Sequence, residues 1–368
     1  MRIAIIADPL DNQRAGVHVY TREFIRALLQ DDQDHEYLLI REKVDPDLEV
    51  QQIAVPNVRL PIGFASFRLF VWIPLLLRRL KVDAVLEPAH FGPFNLPSHV
   101  RRITVIHDLT PILFPQHHRF HSQLLQRIFL KGILRRAHLI LANSAHTASD
   151  LHQYYPFTEG KVATIHLGRE RHYQPTDSRT FLQSQNIKAP YFLFVGTIEP
   201  RKNLGVLLQA YAQFRQQSEA KVLLLIVGQK GWKSESLFEQ IEVHPYREDI
   251  ILTGYVDIAY LPELYSQALG FIYPSLYEGF GFPVLEALAC GAPVICSRRA
   301  SLPEVGGEVA YYFEPEAVGE LVERMLVVAG LPEAERERLR QCCLEQARRF
   351  SWEKYVVGFK EALKRLES

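Results

Sequence analysis

The chain has 368 residues, of which 48% are hydrophobic and 23% charged, a composition typical of globular proteins. Basic and acidic residues balance at 42 each, and this zero net charge argues against a general nucleic-acid binder, so no nucleic-acid partner is expected. The length exceeds that of one typical hydrophobic core, so two domains are expected. The four cysteines lack zinc-like spacing and are expected to be reduced, structural thiols.

The first half of the chain alternates short apolar runs with amphipathic patterns, which is typical of parallel β/α layering. The apolar runs predict strands over residues 2–8, 36–41, 82–87, 101–107, 138–142 and 161–166. The amphipathic patterns predict helices over residues 16–30, 67–80, 119–136 and 144–155. The polar, proline-bearing stretch 167–190 then predicts a linker between two domains.

A second alternating set begins at Tyr191 and predicts another α/β domain. Its apolar runs predict strands over residues 191–196, 221–227, 249–253, 270–274 and 292–296. Helices are predicted over 203–217, 232–243, 261–268, 283–290, 302–305 and 316–328, followed by a charged helical stretch over 332–366. Because ligands bind at the carboxyl ends of parallel strands, functional residues are expected in the loops just after strands.

The most apolar part of segment 64–81 is too short to span a bilayer and is interrupted by Arg68 and Pro74. Basic residues end the segment, and Phe70 and Trp72 are aromatic residues of the kind found at membrane interfaces. The pattern favours a helix on an anionic membrane surface, with a core helix capped by basic residues as the alternative. We expect no signal peptide and a cytoplasmic protein, peripheral on the inner face of the plasma membrane if this segment binds lipid.

A glycine-rich turn lies between the strand predicted to end at Pro274 and the helix predicted to begin at Pro283. Glycine allows close backbone approach, and the free N–H groups and dipole of a helix N-terminus favour an anion such as phosphate. Two carboxylates, Glu278 and Glu286, flank this turn, and carboxylates accept hydrogen bonds from sugar hydroxyls. The turn therefore predicts a ligand that carries phosphates and sugars side by side, as a sugar nucleotide does.

The run PSLYEGFGFPVLEALACGAPVI, residues 274–295, resembles the EX7E region of the retaining glycosyltransferases of family 4. The resemblance implies an α/β protein of GT-B fold, with two Rossmann-like domains that face a central cleft. We place them at 1–170 and 171–349, with a C-terminal helix at 350–368 that crosses back to the first domain. The resemblance also implies contacts to the donor sugar by Glu278, Phe280, Gly281 and Phe282, and to the nucleotide by Val284, Leu285 and, at the ribose, Glu286.

Two adjacent cations, Arg201 and Lys202, follow Gly196 in the loop after a predicted strand. Arginine offers a planar fork to phosphate oxygens and lysine a compact charge. In a transferase the nucleotide diphosphate leaves with growing negative charge, which fixed positive charge stabilises. The family binds the diphosphate with a basic pair here, although many members carry arginine directly after the glycine, where this chain has Thr197. We therefore assign the diphosphate to Arg201 and Lys202.

Single residues in other loops are assigned by the same resemblance. Gly16 opens the first long helix and is expected near the donor phosphate or the acceptor. His107 ends a predicted strand and is expected to face the donor sugar, with a structural hydrogen-bonding role as the alternative, and Asp108 could equally orient the loop. Gly228 and Tyr255 follow two later strands and are expected at the nucleotide.

Three histidines, His117, His118 and His121, lie at the start of a basic region that covers 119–136. His117 and His121 would share a helix face, but no carboxylate or cysteine is close in sequence, so no metal is expected there. The basic region is a second candidate for contact with phospholipid or a lipid-pyrophosphate acceptor, with a solvated surface as the alternative. The resemblance likewise implies a metal-independent enzyme with no cofactor besides its nucleotide-sugar donor.

These patterns predict a hexosyltransferase that retains anomeric configuration, with Arg201, Lys202, Glu278 and His107 as its catalytic residues. The donor is a nucleotide-diphosphate sugar, with UDP-glucose slightly favoured and GDP-mannose next, and the acceptor is a saccharide or a lipid-linked saccharide in bacterial polysaccharide synthesis. One alternative is a sugar-nucleotide epimerase of the same fold, which would turn over the donor alone. Another is a non-catalytic subunit that binds the nucleotide sugar. A dinucleotide dehydrogenase is poorly supported, because no G-x-G-x-x-G follows the first strand.

Overall fold

The computed structural model describes residues 1–12, 16–55, 67–89, 92–93, 95–114 and 129–367. By its internal contacts the chain divides into two compact units. The first unit comprises Met1–Gly168 and Ser351–Ser368, and the second comprises Arg169–Phe350. Each unit is built around one parallel β-sheet, which confirms the predicted α/β class.

The sheet of the first unit has seven described strands. They are β1 (Arg2–Ile6), β2 (Glu36–Arg41), β3 (Gln51–Ala54), β4 (Ala84–Glu87), β5 (Arg101–Ile106), β6 (Leu139–Ala142) and β7 (Val162–Thr164). Their order is β3-β2-β1-β4-β5-β6-β7, and all neighbours are parallel. The order reverses between β1 and β4, and β4 and β6 are buried along their whole length, as expected for strands covered on both faces.

The sheet of the second unit has six strands and the same plan. They are β8 (Tyr191–Val195), β9 (Leu223–Val227), β10 (Ile250–Gly254), β11 (Gly270–Tyr273), β12 (Val294–Ser297) and β13 (Tyr311–Phe313). Their order is β10-β9-β8-β11-β12-β13, again with parallel neighbours throughout. The order reverses between β8 and β11, and ligands of open α/β sheets bind at the carboxyl edge beside such a reversal.

The described helices connect these strands. In chain order they are α1 (Pro9–Asn12), α2 (Gly16–Asp31), α3 (Ile73–Leu80), α4 (Thr110–Leu113), α5 (Ala145–Tyr154), α6 (Thr180–Ser184), α7 (Leu204–Gln217), α8 (Glu235–Glu242), α9 (Leu261–Ser266), α10 (Phe282–Ala289), α11 (Leu302–Gly306), α12 (Val318–Ala329), α13 (Glu333–Ala347) and α14 (Trp352–Glu367). A π-helical turn, Arg68–Trp72, leads into α3, and residues 129–136 are also helical. Single 3₁₀ turns occur at Pro156–Thr158, Pro200–Lys202, Arg247–Asp249 and Ile258–Tyr260.

The last helix, α14, belongs to the first unit and packs against α2. The rings of Tyr355 and Phe359 lie edge-on to Phe24, at centroid distances of 4.8 and 5.1 Å. The hydroxyl groups of Tyr20 and Tyr355 are 2.8 Å apart and share a hydrogen bond. Because these four rings are fully buried, the end of the chain contributes to the core of the unit in which the chain begins.

Several predicted boundaries differ from the structure for local reasons. Strands β3 and β13 were not predicted, because neither is a buried apolar run: β3 begins with two glutamines, and two of the three residues of β13 are only half-buried. The predicted linker 167–190 contains the short helix α6, anchored by the buried Leu182. The single helical stretch predicted over 332–366 is two helices, and the Ser351 hydroxyl accepts a hydrogen bond from the Lys354 amide at 3.2 Å, which caps the second.

Candidate functional site

The loops that follow β8 and β11 meet where the strand order of the second unit reverses. The first loop runs from Gly196 to Lys202, and the second from Pro274 to Gly281. A backbone hydrogen bond from the Leu276 amide to the Arg201 carbonyl, 2.9 Å long, joins the two loops. The structure thereby brings together the cation pair and the glycine-rich turn, which are more than seventy positions apart in sequence.

Lys202 is held inside this site rather than in solvent. It ends the 3₁₀ turn that follows Glu199, and its side chain is 9% exposed. Its Nζ lies 2.7 Å from Glu278 Oε1, donates to the Tyr273 hydroxyl, and sits 4.8 Å from the centre of the Tyr273 ring. Burial lowers the pKa of Lys202, and Glu278 opposes that shift. The lysine is therefore a buried cation whose main partner is a carboxylate.

Arg201 approaches the same carboxylate from the other side. Its Nη1 lies 2.9 Å from Glu278 Oε1 and donates to the Tyr277 carbonyl at 2.6 Å. Its Nη2 donates to Glu199 Oε1 at 2.7 Å. The guanidinium is thus fixed in orientation by both loops, with about a fifth of its side chain exposed. A ligand anion at this place meets a charge that needs little reorganisation.

Glu278 is the centre of this network. Its Oε1 also accepts hydrogen bonds from the hydroxyls of Ser275 at 2.6 Å and Tyr273 at 3.1 Å. Burial alone would raise the pKa of Glu278, but Arg201 and Lys202 lower it to about 2. The carboxylate therefore stays ionised at any physiological pH and accepts hydrogen bonds only.

The glycine-rich turn is shaped by one residue in a left-handed conformation. Gly281 has a φ of 106° and precedes α10, which begins at Phe282. Pro283 was predicted to be the first helical residue, but it is the second. The Gly281 carbonyl accepts hydrogen bonds from the amides of Val284 and Leu285, at 3.0 and 3.2 Å. A diphosphate would therefore have to compete for those two amides, and their side chains are fully buried in the core.

The Ser301 hydroxyl fixes this turn from outside it. It donates to the backbone carbonyls of Glu278 and Phe280, at 2.9 and 2.8 Å. The sequence analysis missed Ser301, as it missed Tyr273 and Ser275. The hydroxyl-bearing residues of the run around Glu278 were the available signal for the last two, whereas Ser301 is 23 residues away and carried none.

Glu286, the second carboxylate of the motif, has a different environment. Its Oε2 accepts a hydrogen bond from the Tyr265 hydroxyl at 2.8 Å, and Tyr173 is a second hydrogen-bond partner. Burial, with a contribution from Glu170, raises the pKa of Glu286 to about 7. The group is thus poised to change its charge near neutral pH. The sequence analysis missed both tyrosines. Tyr173 lies in the stretch predicted as a linker, and Tyr265 lies in a predicted helix, distant in sequence from Glu286.

Gly228 lies against the backbone of a neighbouring loop, at Gly196. Its φ is 149°, and a Cβ there would lie 1.9 Å from the carbonyl oxygen of Gly196. Its amide donates to the Gly254 carbonyl at 2.9 Å, so three glycines join the carboxyl ends of β8, β9 and β10. Tyr255 follows Gly254, and its side chain is 68% exposed. Gly228 therefore packs the loops of the unit closely, and its expected contact with the nucleotide stays a prediction.

The remaining predicted residues, Gly16 and His107, lie in the first unit. Gly16 is the first residue of α2. His107 follows β5, its Nε2 lies 2.7 Å from the Pro88 carbonyl, and its ring packs edge-on against Tyr20 at 4.8 Å. The Asp108 carboxylate accepts hydrogen bonds from the amide and hydroxyl of Thr110, so it orients the loop. The contacts of His107 correspond to the structural role considered as its alternative.

His117, His118 and His121 lie outside the described residues, as do positions 119–128 of the predicted basic region. Within the described part of the chain, no group of three or more His, Cys, Asp or Glu side chains is arranged to hold a metal ion. The four cysteines carry no disulfide. Among the same residues, no helix has both the length and the apolar character needed to cross a bilayer.

Two family descriptions match the chain and together cover most of it. "Glycosyltransferase Family 4" matches residues 14–171, and "Glycosyl transferases group 1" matches residues 177–342. The second match contains the cation pair and both glutamates of the site described above. The first match ends close to the boundary between the two structural units.

Similar proteins are found among both curated sequences and solved structures. O-antigen chain mannosyltransferase B of Escherichia coli is 33% identical over 270 residues, 72% of this chain and 71% of that protein. Serotype-specific mannosyltransferase WbdA of Escherichia coli is 29% identical over 262 residues, 68% of this chain but only 32% of that longer protein. The structure of Anabaena Alr3699/HepE in complex with UDP-glucose has a TM-score of 0.74 and 16% identity, and covers 100% of this chain and 99% of that one, which shows a shared fold. The chain therefore belongs to the glycosyltransferases of GT-B fold, and to those that act in bacterial polysaccharide synthesis.

Proposed function

We propose that the protein transfers a mannosyl residue from GDP-mannose to a saccharide or lipid-linked acceptor, with retention of anomeric configuration. The support for mannose is the 33% identity to an O-antigen chain mannosyltransferase over 71% of that protein's length. The sequence motifs by themselves slightly favour UDP-glucose, and the sequence relative moves the proposal to GDP-mannose. Retention follows from the resemblance to the family 4 enzymes.

The observation that carries the proposal is the convergence of Arg201 and Lys202 on Glu278 at the point where strand order reverses. The formal charges of Arg201 and Lys202 are balanced by Glu278 and Glu199, so a ligand anion would take over hydrogen bonds that the two cations now donate to these carboxylates. We assign the diphosphate of the donor to these cations, which stabilise the negative charge that grows as the sugar–phosphate bond breaks. Glu278 then accepts hydrogen bonds from hydroxyls of the transferred sugar.

The proposed step needs no nucleophile from the protein. The acceptor hydroxyl forms the new bond to the anomeric carbon on the face that the leaving diphosphate vacates, and a phosphate oxygen takes the hydroxyl proton. The bond between the anomeric carbon and the phosphate oxygen breaks, and nucleoside diphosphate leaves. Positioning and electrostatic stabilisation supply most of the acceleration, without a metal ion.

We also assign a membrane-facing surface to residues 67–81 of the first unit. Four apolar side chains there lie at helical spacing and are 38–51% exposed: Phe67, Val71, Trp72 and Leu75. The opposite face, which includes Ile73 and Leu77, is buried in the core of the unit. Arg78 and Arg79 end the helix, so apolar and cationic groups are presented together, as suits a surface of anionic lipid.

The test of the donor is calorimetric titration of the full chain with UDP, GDP, UDP-glucose and GDP-mannose, without added metal. We expect selective binding of GDP and GDP-mannose. Selective binding of the uridine compounds would instead assign UDP-glucose, and binding of none of the four would contradict a nucleotide-sugar site around Glu278.

Two variants test the assigned roles in the same assay and in turnover. Lys202→Ala should reduce turnover by about 10²–10³-fold, the scale of a lost electrostatic contact in the transition state. Glu278→Gln should weaken binding of the nucleotide sugar more than binding of the free nucleotide, because only the nucleotide sugar carries the hexose. Equal losses for both ligands would contradict the assignment of Glu278 to the sugar.

A further inference from the structure

The first unit contains a cavity of about 820 Å³ at the amino ends of β5, β6 and β7. His107 follows β5 and so lies at the opposite edge of the same sheet. The cavity is walled by the loop before β5, by the end of helix 129–136, and by the end of α14. Its volume lies within the range of small-molecule sites, and nothing in the proposed transfer reaction uses it.

The lining of this cavity is strongly basic. Five arginines, one lysine and one histidine contribute to it, and no Asp or Glu is among the described residues that line it. Arg101 and Arg102 come from the start of β5, Arg135 and Arg136 from the helix that ends before β6. The remaining basic residues of the lining are His138, Lys161 and Arg365. We call this place the basic cavity.

Arg102 is buried and paired in charge with Glu87, but the hydrogen bonds of its guanidinium are not satisfied. The residue is 1% exposed, and its Nε lies 3.3 Å from Glu87 Oε1. Yet none of its guanidinium nitrogens makes a hydrogen bond to another residue in the described part of the chain. A buried guanidinium has five N–H donors that need acceptors, so its presence at the basic cavity points to an anionic ligand.

The cations of the basic cavity also act on one another. Burial lowers the pKa of His138, and Lys161, Arg101 and Arg102 lower it further. The pKa of Arg102 is lowered by burial and by Arg136, while Glu87 opposes the shift. A part of the charge does serve the fold, since Lys161 Nζ donates to the Arg135 carbonyl at 3.0 Å. The net field in the cavity is nonetheless positive.

We infer that the basic cavity is a second anion site, which binds a ligand carrying one or more phosphate groups. Arginine binds phosphate through its planar fork, and several arginines around one cavity suit a multiply charged anion better than a single carboxylate. Leu96, Pro97, Val100 and Leu366 also line the cavity and provide an apolar wall for the rest of the ligand. The phosphate is carried by a soluble compound or by a lipid headgroup.

The probe for this site is inorganic pyrophosphate, and the readout must be local because the diphosphate site near Lys202 binds the same anion. Arginine side chains are labelled with phenylglyoxal on the full chain at low ionic strength, and mass spectrometry follows each position. We expect pyrophosphate to slow the labelling of Arg101 and Arg135 in a saturable manner, and to leave the exposed Arg338 of α13 unaffected. Equal labelling rates with and without pyrophosphate would overturn the inference.

A pair of matched variants separates this site from general charge attraction. Arg101→Gln with Arg135→Gln removes two charges from the basic cavity, and Lys188→Gln with Arg338→Gln removes two from the second unit. In calorimetry, the first pair should weaken one pyrophosphate binding event by about tenfold or more, because two charge-assisted hydrogen bonds to the anion are lost. The second pair should leave it unchanged, and equal losses for the two pairs would overturn the site.

Vesicles distinguish the two sources of the phosphate. Phosphatidylcholine vesicles with and without phosphatidylglycerol replace pyrophosphate in the labelling assay. Slower labelling of Arg101 and Arg135 with the anionic vesicles supports a lipid headgroup as the ligand. Protection by pyrophosphate alone supports a soluble phosphorylated compound, and protection by neither removes the site. None of these outcomes depends on transferase activity, so they are independent of the proposed donor and acceptor.

Discussion

Glu278 and Glu286 are eight positions apart in one motif, yet their surroundings shift their pKa values in opposite directions. Two cations, Arg201 and Lys202, lower the pKa of Glu278 to about 2 against the effect of burial. Glu286 has the Tyr265 and Tyr173 hydroxyls as hydrogen-bond partners, and burial, with a contribution from Glu170, raises its pKa to about 7. The same side chain is therefore a permanent anion at one position and a titrating group at the other.

The shifted pKa of Glu286 predicts a pH dependence of stability. The folded protein keeps a proton up to about pH 7 that an unfolded glutamate, with a pKa of 4.5, releases earlier. Ionisation of this group therefore lowers the free energy of unfolding as the pH rises from about 4.5 to 7, by about 1–3 kcal/mol. Glu286→Gln cannot ionise, so its stability relative to the natural protein should increase over that interval.

Urea unfolding at a series of pH values measures this difference. The contribution of Glu87, whose pKa burial also raises to about 7, is present in both proteins and cancels. Glu239→Gln, at an exposed position of α8, is the control and should show no such trend. A constant difference between Glu286→Gln and the natural protein across the pH range would contradict the assigned protonation.

At the scale of elements, the π-helical turn and α3 place apolar side chains on two faces. Ile73 and Leu77 enter the core of the first unit, whereas Trp72 and Leu75 are 46% and 50% exposed. A helix needs only one apolar stripe to pack against a sheet, so the second stripe calls for another contact. The prediction of a core helix describes the face of Ile73 and Leu77, and the contact of the exposed face with a membrane stays a proposal.

The membrane role predicts the behaviour of a double variant in vesicle flotation. Trp72→Ser with Leu75→Ser should reduce co-flotation with phosphatidylglycerol vesicles at low salt by about tenfold or more, because each buried side chain is worth about 1.5–3 kcal/mol. Val243→Ser with Val357→Ser changes two valines elsewhere that are more exposed, at 82% and 58%, and should have no effect. Failure of the natural protein itself to co-float would contradict the membrane assignment.

The loops after β8 and β9 depend on a glycine pair. Gly228→Ala would place a Cβ 1.9 Å from the Gly196 carbonyl oxygen at a φ of 149°, so we expect a loss of at least about 2 kcal/mol and displacement of the loop that carries Lys202. Gly319→Ala is the control, since nothing lies within 4 Å of its Cβ position in α12, and it should gain up to about 1 kcal/mol. Thermal unfolding and nucleotide titration check both variants, and equal stability of the two would contradict the packing argument.

At the scale of the whole molecule, the chain begins and ends in the same unit. The second unit ends at Phe350, and the helix that follows, α14, packs against α2. The aromatic side chains of α14 fill the core beside Phe24. The last sixteen described residues are therefore as much a part of the first unit as its first strand. The second unit is the continuous segment between the two pieces.

Phe359→Ala tests the energetic contribution of this return. The side chain is fully buried, so its loss should cost about 3–5 kcal/mol of stability. Val357→Ala, on the same helix but 58% exposed, should change stability by less than about 0.5 kcal/mol. Urea unfolding in a Trp72→Phe, Trp232→Phe background, followed by the fluorescence of Trp352, which lies 5.5 Å from Tyr355, measures the effect in the first unit. Equal effects of the two substitutions would contradict the packing of α14.

The sequence by itself determined the α/β class, the alternation of strands and helices, and the family. Buried parallel strands such as β8 are continuous apolar runs, and the turn between Glu278 and Glu286 is a local pattern, so neither needs distant residues to be recognised. The sequence did not predict the short strands β3 and β13 or the break between α13 and α14. Both strands are only partly buried and lack a continuous apolar run, and each is held by its pairing with the neighbouring strand.

Only the tertiary structure decided which residues share a site. The strand order, which reverses between β8 and β11, brings the cation pair to Glu278 and joins two separate loop motifs in one charge network. It also gathers the basic cavity from residues spread between Asn95 and Leu366. Charge, burial and pKa depend on what lies within a few ångströms, and for this chain those neighbours come from segments that the sequence keeps far apart.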